Sequence, residues 1–245
     1  MEGENVPGKI PERRKVERGP DAEAVAARAG GIRRQIEGAR FSPERIEELA
    51  RELAEREYKL EQNAMRDQLT GAWNRGFMRA ELFREVGSPE REKGMPLGVA
   101  MLDLDYFKKV NDIFGHLSGD EVLKIFVRTM GEWAKKYRLT GGRWGGEEFL
   151  VLAPGLGAAE LAGVLNDLGV TVREQLAAQS GLDPEKIKEL TISAGIAGYE
   201  FGDEPDVLLD RADKLMYQAK GEEGDPEGRN RMMVQGERAP RKYTR

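Results

Sequence analysis

The chain has 245 residues, 39% hydrophobic and 34% charged, with a formal net charge of −5. That suffices for one packed domain plus an appendage, and the acidic balance excludes a general nucleic-acid binder, which needs a basic face. There is no cysteine, which excludes disulfide frameworks and thiolate metal sites; with no signal peptide and no apolar run long enough to span a membrane, a soluble, cytoplasmic protein is expected.

Residues 1–41 read as a flexible or partly helical N-terminal segment. Met1 to Pro20 is rich in Gly, Pro and charge and reads as a solvated arm. Asp21 to Ala29 suits a short alanine-rich helix broken by Gly30-Gly31, with a second short piece up to Gly38. No sensory domain fits in so short and polar a stretch, so a regulatory protein docking there is one expectation and constitutive activity the other.

Residues 42–66 form the predicted stalk. Ser42, with Pro43 behind it and Glu44, Glu47 and Glu48 in the opening turns, starts a helix that runs to about Met65. Ile46, Leu49, Leu53 and Leu60 recur at heptad-like spacing, with Arg56 interrupting the seam. Glu47/Arg51, Glu52/Arg56 and Glu55/Lys59 support the helix at i,i+4. The narrow stripe predicts a two-helix coiled coil that pairs two copies of the chain, the competing reading being a helix that lies on its own domain.

Residues 67–236 read as the main packed domain. Asp67-Gln-Leu-Thr-Gly71 is a turn signal before a helix over about Asn74–Val86, expected to set the angle of the stalk. Pro89 to Gly94 reads as a polar loop. Leu97 to Leu102 is a core strand, and Phe107 to Phe114 a helical turn. Gly119 to Lys136 is a long helix with Val122, Leu123, Phe126, Met130 and Trp133 on its apolar face. Thr140 to Leu152 is a hairpin turning at Gly145-Gly146, since glycine adopts positive φ freely. A helix over Ala158–Ala177, a strand over Leu190–Ala197, a helix over Pro205–Lys220 and a last strand over Arg231–Val234 complete it. Strands alternating with helices around a hairpin predict an α/β (α+β) sheet covered by helices. Residues 237–245 read as a basic tail.

The chemistry concentrates in two stretches. Arg143-Trp-Gly-Gly-Glu-Glu-Phe-Leu-Val151 sets Glu147 and Glu148 at the mouth of a strand, and a carboxylate pair is costly to hold together without a cation. Met101-Leu-Asp-Leu-Asp105 ends another strand in two carboxylates. If those strands are neighbours, Asp103 and Glu147 converge, and hard oxygen ligands suit Mg²⁺ or Mn²⁺. On the residues alone, the competing reading is a turn-capping Asp103 with solvated glutamates.

These stretches, with Asp67 to Arg75, Ile192-Ser-Ala-Gly-Ile196, Ala212 to Lys220 and Gly228-Arg-Asn-Arg231 in order, resemble the GGDEF family of diguanylate cyclases in its GGEEF form. The resemblance covers roughly residues 66–234. It implies a palm-like, ferredoxin-related mixed five-stranded sheet with a central antiparallel hairpin. It implies that Asp103, the Leu104 carbonyl and Glu147 hold metal, two ions per active site, and that Glu148 is a further ligand or helps deprotonate the nucleophile. Asn111 and Asp120 match positions that bind guanine, whose N1–H and exocyclic amine suit a carboxylate. His116 lines the nucleotide site. Lys108, the Tyr106 and Phe107 amides, Lys220 and Arg229 take the phosphates. Asp105 is expected to be structural, capping the turn beyond it.

Two departures from the pattern stand out. Gly221 to Glu227 is inserted between Lys220 and Arg229, so Arg229 either reaches the phosphates or is solvated. Where many members carry an Arg-x-x-Asp product-inhibition site, this chain has Lys136-Tyr-Arg-Leu139, so feedback inhibition is expected to be weak or absent. The resemblance implies condensation of two GTP into cyclic di-GMP and two pyrophosphates by a metal-dependent homodimer that needs no nucleic acid or membrane. The alternatives are a non-catalytic GTP- or cyclic di-GMP-binding module and another nucleotidyl cyclase of related fold.

Overall fold

A computed structural model describes residues 22–36, 42–221 and 229–243. The expected N-terminal arm and residues 222–228 of the insert lie outside the described residues. The chain divides into a helical unit within residues 8–66 and a larger unit from Asp67 onward.

In the helical unit, α1 (Ala22–Ile36) packs on α2 (Pro43–Ala64). Ser42 caps α2, its hydroxyl accepting from Arg45 N, as the Ser-Pro-Glu opening predicts. α1 does not break at Gly30-Gly31. Each glycine costs a helix about 1 kcal/mol relative to alanine, and packing on α2 offsets this. Arg28 pairs with Glu61 and Arg33 with Glu47 across the two helices. The expected seam is also split. Ile46, Ala50 and Ala54 are buried in the helical unit, whereas Leu53 and Leu60 remain 44% and 60% exposed.

The larger unit runs α3 (Arg75–Val86), α4 (Pro89–Glu92), β1 (Leu97–Leu104), α5 (Phe107–Phe114), α6 (His116–Tyr137), β2 (Thr140–Gly145), β3 (Glu148–Pro154), α7 (Ala158–Gln179), α8 (Pro184–Ile187), β4 (Ile192–Gly198), α9 (Pro205–Lys220), β5 (Arg231–Val234) and β6 (Arg241–Lys242). The strands form one mixed sheet in the order β2-β3-β1-β4-β5-β6. Among these named strands, β4 and β5 alone pair in parallel. The five expected strands are all present, and the β2–β3 hairpin occupies one flank of the sheet. The sixth strand comes from residues expected in the tail: β6 pairs with β5, and Tyr243 behind it is buried. The Pro89–Gly94 stretch, expected as a loop, contains the short α4.

Both faces of the sheet are covered, because β1 is buried along its whole length. Its even-numbered residues Ala100, Leu102 and Leu104 join Phe149, Val151, Ala194 and Ile196 under α5, α6 and α7. Its odd-numbered residues Val99 and Met101 join Leu150 and Leu152 under α3 and α9. Strand periodicity therefore puts Asp103 on the α9 face. Gly195 in β4 explains how close α9 comes. A Cβ there would sit 2.0 Å from Met216 N and 2.1 Å from Ala212 O, so only glycine admits the helix at this distance. That approach brings the end of α9, Lys220, to the end of β1.

Candidate active site

β1 is flanked by β3 and β4, and Asp103 pairs in register with Glu148 of β3 and with Ser193 of β4. Leu104 N donates to the Glu147 carbonyl over 3.2 Å. In an antiparallel pair the N–H and C=O of one residue share a side, so the Leu104 carbonyl also faces the hairpin. The strands that carry Asp103 and the two glutamates are thus direct neighbours. The turn between β2 and β3 uses positive φ at Gly146 alone, with φ 52.

The charges at this point are not those of a solvated surface. Asp103 is 3% exposed, and Lys220 Nζ lies 2.7 Å from its Oδ2. Burial pushes the Asp103 carboxyl up to about 6, while Lys220 opposes the shift and the Glu147 and Asp105 charges add to it. Burial also raises Glu148; Lys220 and Arg75 work against this, and Asp213 and Glu147 reinforce it. The cluster holds more negative charge than one lysine balances, and all its donors are hard oxygens. That suits a divalent cation of the Mg²⁺ or Mn²⁺ type. Among the described residues, no three carboxylate or histidine side chains converge on one point. An ion here would take Asp103, Glu147, the Leu104 carbonyl and oxygens of a ligand.

The hairpin is held from outside the sheet. Arg143 Nη1 lies 3.0 Å from Asp67 Oδ1, and its Nε donates to the Gly146 carbonyl over 2.7 Å. Asp67 also accepts from the Thr70 amide and hydroxyl. Burial raises the Asp67 carboxyl, but these hydrogen bonds and the Arg143 charge outweigh it and hold it below its usual value. Arg143 N donates to Trp73 O over 2.7 Å, and the Arg75 guanidinium lies over the Trp144 ring. The turn signal at residues 67–71 therefore anchors the glycine turn, a partnership that spacing alone did not reveal.

On the other side of Asp103 the chain leaves β1 through Asp105 and Tyr106. Asp105 is completely buried and accepts from Thr191 Oγ1 at 2.7 Å, Ser193 Oγ at 2.8 Å and Asn230 N at 2.8 Å. It is structural, but it clamps β4 and the start of β5 rather than capping its own turn. Tyr106 takes φ 57 and opens α5, whose first residue Phe107 is buried. Lys108 is exposed, as is His116 at the start of α6.

α5 and α6 meet where the resemblance puts the base. A Cβ on Gly119 would lie 2.0 Å from Asn111 Oδ1, so the Asn111 amide rests directly on Gly119, next to Asp120. The structure therefore seats Asn111 against the residue that precedes Asp120. Arg229 lies over the Tyr106 ring, 4.4 Å from its centre, with Nη1 3.8 Å from Asp105 Oδ1. Despite the insert, it stands at the β1–α5 turn and is not simply solvated. Lys220, expected at the phosphates, is instead paired with Asp103.

Residues 64–226 match the family described as "Diguanylate cyclase, GGDEF domain". The chain is 39% identical over 165 residues to diguanylate cyclase DgcP of Pseudomonas aeruginosa, covering 65% of this chain and 23% of that protein. It spans at most half of the other full-length curated diguanylate cyclases compared. The crystal structure of the coiled coil and GGDEF domain of DgcB from Caulobacter crescentus, in complex with c-di-GMP, superposes with TM-score 0.66 at 26% identity, covering 86% of this chain and 98% of that one. That of diguanylate cyclase SiaD from Pseudomonas aeruginosa, in complex with its activator SiaC, superposes with TM-score 0.56 at 31% identity, covering 80% of this chain and 72% of that one. The chain belongs to the GGDEF diguanylate cyclase family.

Proposed function

We propose that the chain is a diguanylate cyclase. Two GTP molecules, one per protomer of a homodimer, face each other. Each 3′-oxygen bonds to the α-phosphorus of the other molecule, two pyrophosphates leave, and the two hydroxyl protons are taken up. The observation that carries this reading is the register pairing of Asp103 with Glu148 beside Lys220.

Asp103, the Leu104 carbonyl and Glu147 would hold the divalent metal, with Mg²⁺ or Mn²⁺ expected and two ions per site. When bound, it neutralises phosphate charge and acidifies the attacking hydroxyl. Glu148, with its raised affinity for protons, is suited to accept the hydroxyl proton, or it completes the metal shell. Lys220 balances Asp103 until the nucleotide enters and then turns to the phosphates. Lys108, Arg229 and the Phe107 amide at the α5 terminus add positive potential there. Asn111 and Asp120 select guanine. Adenine lacks the paired donors and would leave Asp120 unmatched, and His116 lines that side.

A monomer supplies half of the reacting pair, so turnover requires association. Leu53 and Leu60, exposed beside Ile32, Arg56 and Glu57 along an open groove of about 380 Å³, supply an apolar face for a second copy in a cytoplasmic homodimer. The DgcB coiled coil supports that stalk role, and the SiaD–SiaC complex supports a regulatory protein partner, for which the N-terminal segment is the site we propose. The testing experiment is incubation with GTP, ATP or both in Mg²⁺. Cyclic di-GMP and pyrophosphate from GTP alone support the reading, and binding without product refutes catalysis.

A further inference from the structure

Arg229 and Asn230 are consecutive non-glycine residues with positive φ, 75 and 50. Even one such residue is uncommon and strained. Two in succession persist only where surrounding contacts fix them. Arg229 has its own contacts, its N–H donating to Ala219 O over 3.4 Å and its guanidinium meeting Tyr106 and Asp105; three further features hold Asn230. The Asp105 carboxylate takes the Asn230 amide N–H at 2.8 Å. Arg173 on α7 donates to Asn230 Oδ1 over 3.1 Å. The third is β6, which pairs Lys242 with Arg231 and Arg241 with Met232; one step further in that register sets Tyr243 opposite Asn230.

Tyr243 is anchored independently. It is 8% exposed within the core under α7. A Cβ on Gly169 would lie 2.4 Å from its Cδ1 and 2.5 Å from its Cε1, so that side of the ring rests against a helix position that offers no side chain. Burial raises its phenol well above the usual range, with the Asp105 charge adding to the shift and Arg173 opposing it. Tyr243 therefore shares its surroundings with the two residues that grip Asn230.

We propose that β6 and Tyr243 form a C-terminal strap across the base of the site, with Tyr243 and Arg173 as positioning residues for Arg229. The strap holds the 229–230 turn in its strained form, and that form lays the Arg229 guanidinium on Tyr106 at the end of β1. The inference rests on the phosphate role proposed above for Arg229. Asn111 and Asp120 sit on α5 and α6 and not on the strap or the 229–230 turn, so loosening the strap weakens recognition of the triphosphate and spares the guanine end.

The test uses the full chain and two ligands: 3′-deoxy-GTP, which lacks the attacking hydroxyl, and guanosine, which lacks phosphates. Tyr243→Ala is expected to weaken 3′-deoxy-GTP about tenfold, the scale of one charge-assisted contact, and to leave guanosine affinity unchanged. Tyr243→Phe, which keeps the ring on Gly169, binds both as wild type does. Arg173→Ala repeats the selective loss and serves if Tyr243→Ala does not fold. Wild-type affinity for 3′-deoxy-GTP in a folded Tyr243→Ala overturns the strap, as does equal loss of both ligands. A wild-type chain that binds neither ligand refutes the underlying nucleotide reading, a result distinct from these.

Discussion

The Asp67 carboxylate stands 3.0 Å from Arg143, and the same guanidinium donates to the carbonyl of Gly146. One side chain thus ties the segment entering the domain to the turn that presents Glu147 and Glu148. Its side chain is only 15% exposed, so its contacts are weakly screened. Arg143→Ala should cost about 1–3 kcal/mol in urea denaturation and should lower turnover more than GTP binding, because the turn carries the acids. Arg143→Lys, with one point donor in place of a fork, should recover only part of both. Unchanged turnover in Arg143→Ala would show that the turn holds itself.

Gly119→Ala separates two effects of opposite sign. Within a helix, alanine is favoured by about 1 kcal/mol. Here the new methyl meets Asn111 Oδ1 at 2.0 Å, and the amide must move out of the base site. The thermal melt should therefore shift little while KM for GTP rises about tenfold. An unchanged KM would mean that Asn111 does not contact the base.

Asp103 gives a pH signature. Its folded-state value, about 6, lies above the ordinary 3.8, so between these values the folded chain binds a proton that the unfolded chain has lost. This contribution to stability is fully present below pH 3.8 and is lost as pH rises through 6. It amounts to roughly 2–3 kcal/mol. With chelator present, the wild-type melting temperature should fall across that window more than that of Asp103→Asn. Added Mg²⁺ should flatten the difference at neutral pH. Parallel pH profiles for the two proteins would contradict this.

Leu53 and Leu60 bear on association. Leu53→Glu with Leu60→Glu should raise the concentration for half-maximal dimer about tenfold or more and make specific activity steeply concentration-dependent. Analytical ultracentrifugation alongside dilution assays reads both. A double variant that stays dimeric places the interface elsewhere.

The absent Arg-x-x-Asp pattern gives a fifth expectation. Lys136 lies over the Trp133 and Tyr137 rings, and Leu139 offers no side-chain acceptor for guanine. Cyclic di-GMP should inhibit turnover weakly or not at all. Tight calorimetric binding that Lys136→Ala abolishes would reverse this conclusion.

How much the sequence disclosed depended on how local the cause was. Helices with long apolar faces, such as α6 and α9, and the apolar run of β3 follow from periodicity. So does the placement of acids at the ends of β1 and at the hairpin turn. What escaped was decided by contacts distant in sequence. The continuity of α1 through two glycines depends on α2. The polar pair Arg241–Lys242 pairs with β5 next to Tyr243, which rests against Gly169 far away in sequence. Lys220 meets Asp103 because α9 settles on Gly195, and neither motif carries a sign of the other. Asp105 looked like a turn cap because its partners Thr191, Ser193 and Asn230 lie far along the chain.

The most direct test is radiolabelled GTP with Mg²⁺, followed to product for the wild type beside Glu147→Gln and Asp103→Asn, all confirmed folded. Cyclic di-GMP and pyrophosphate in equal measure to half and to all of the GTP consumed, with a loss of at least about a thousandfold in either variant, is the expected result. Variants that keep wild-type rates would contradict a reaction run at the carboxylates where β1 meets β3.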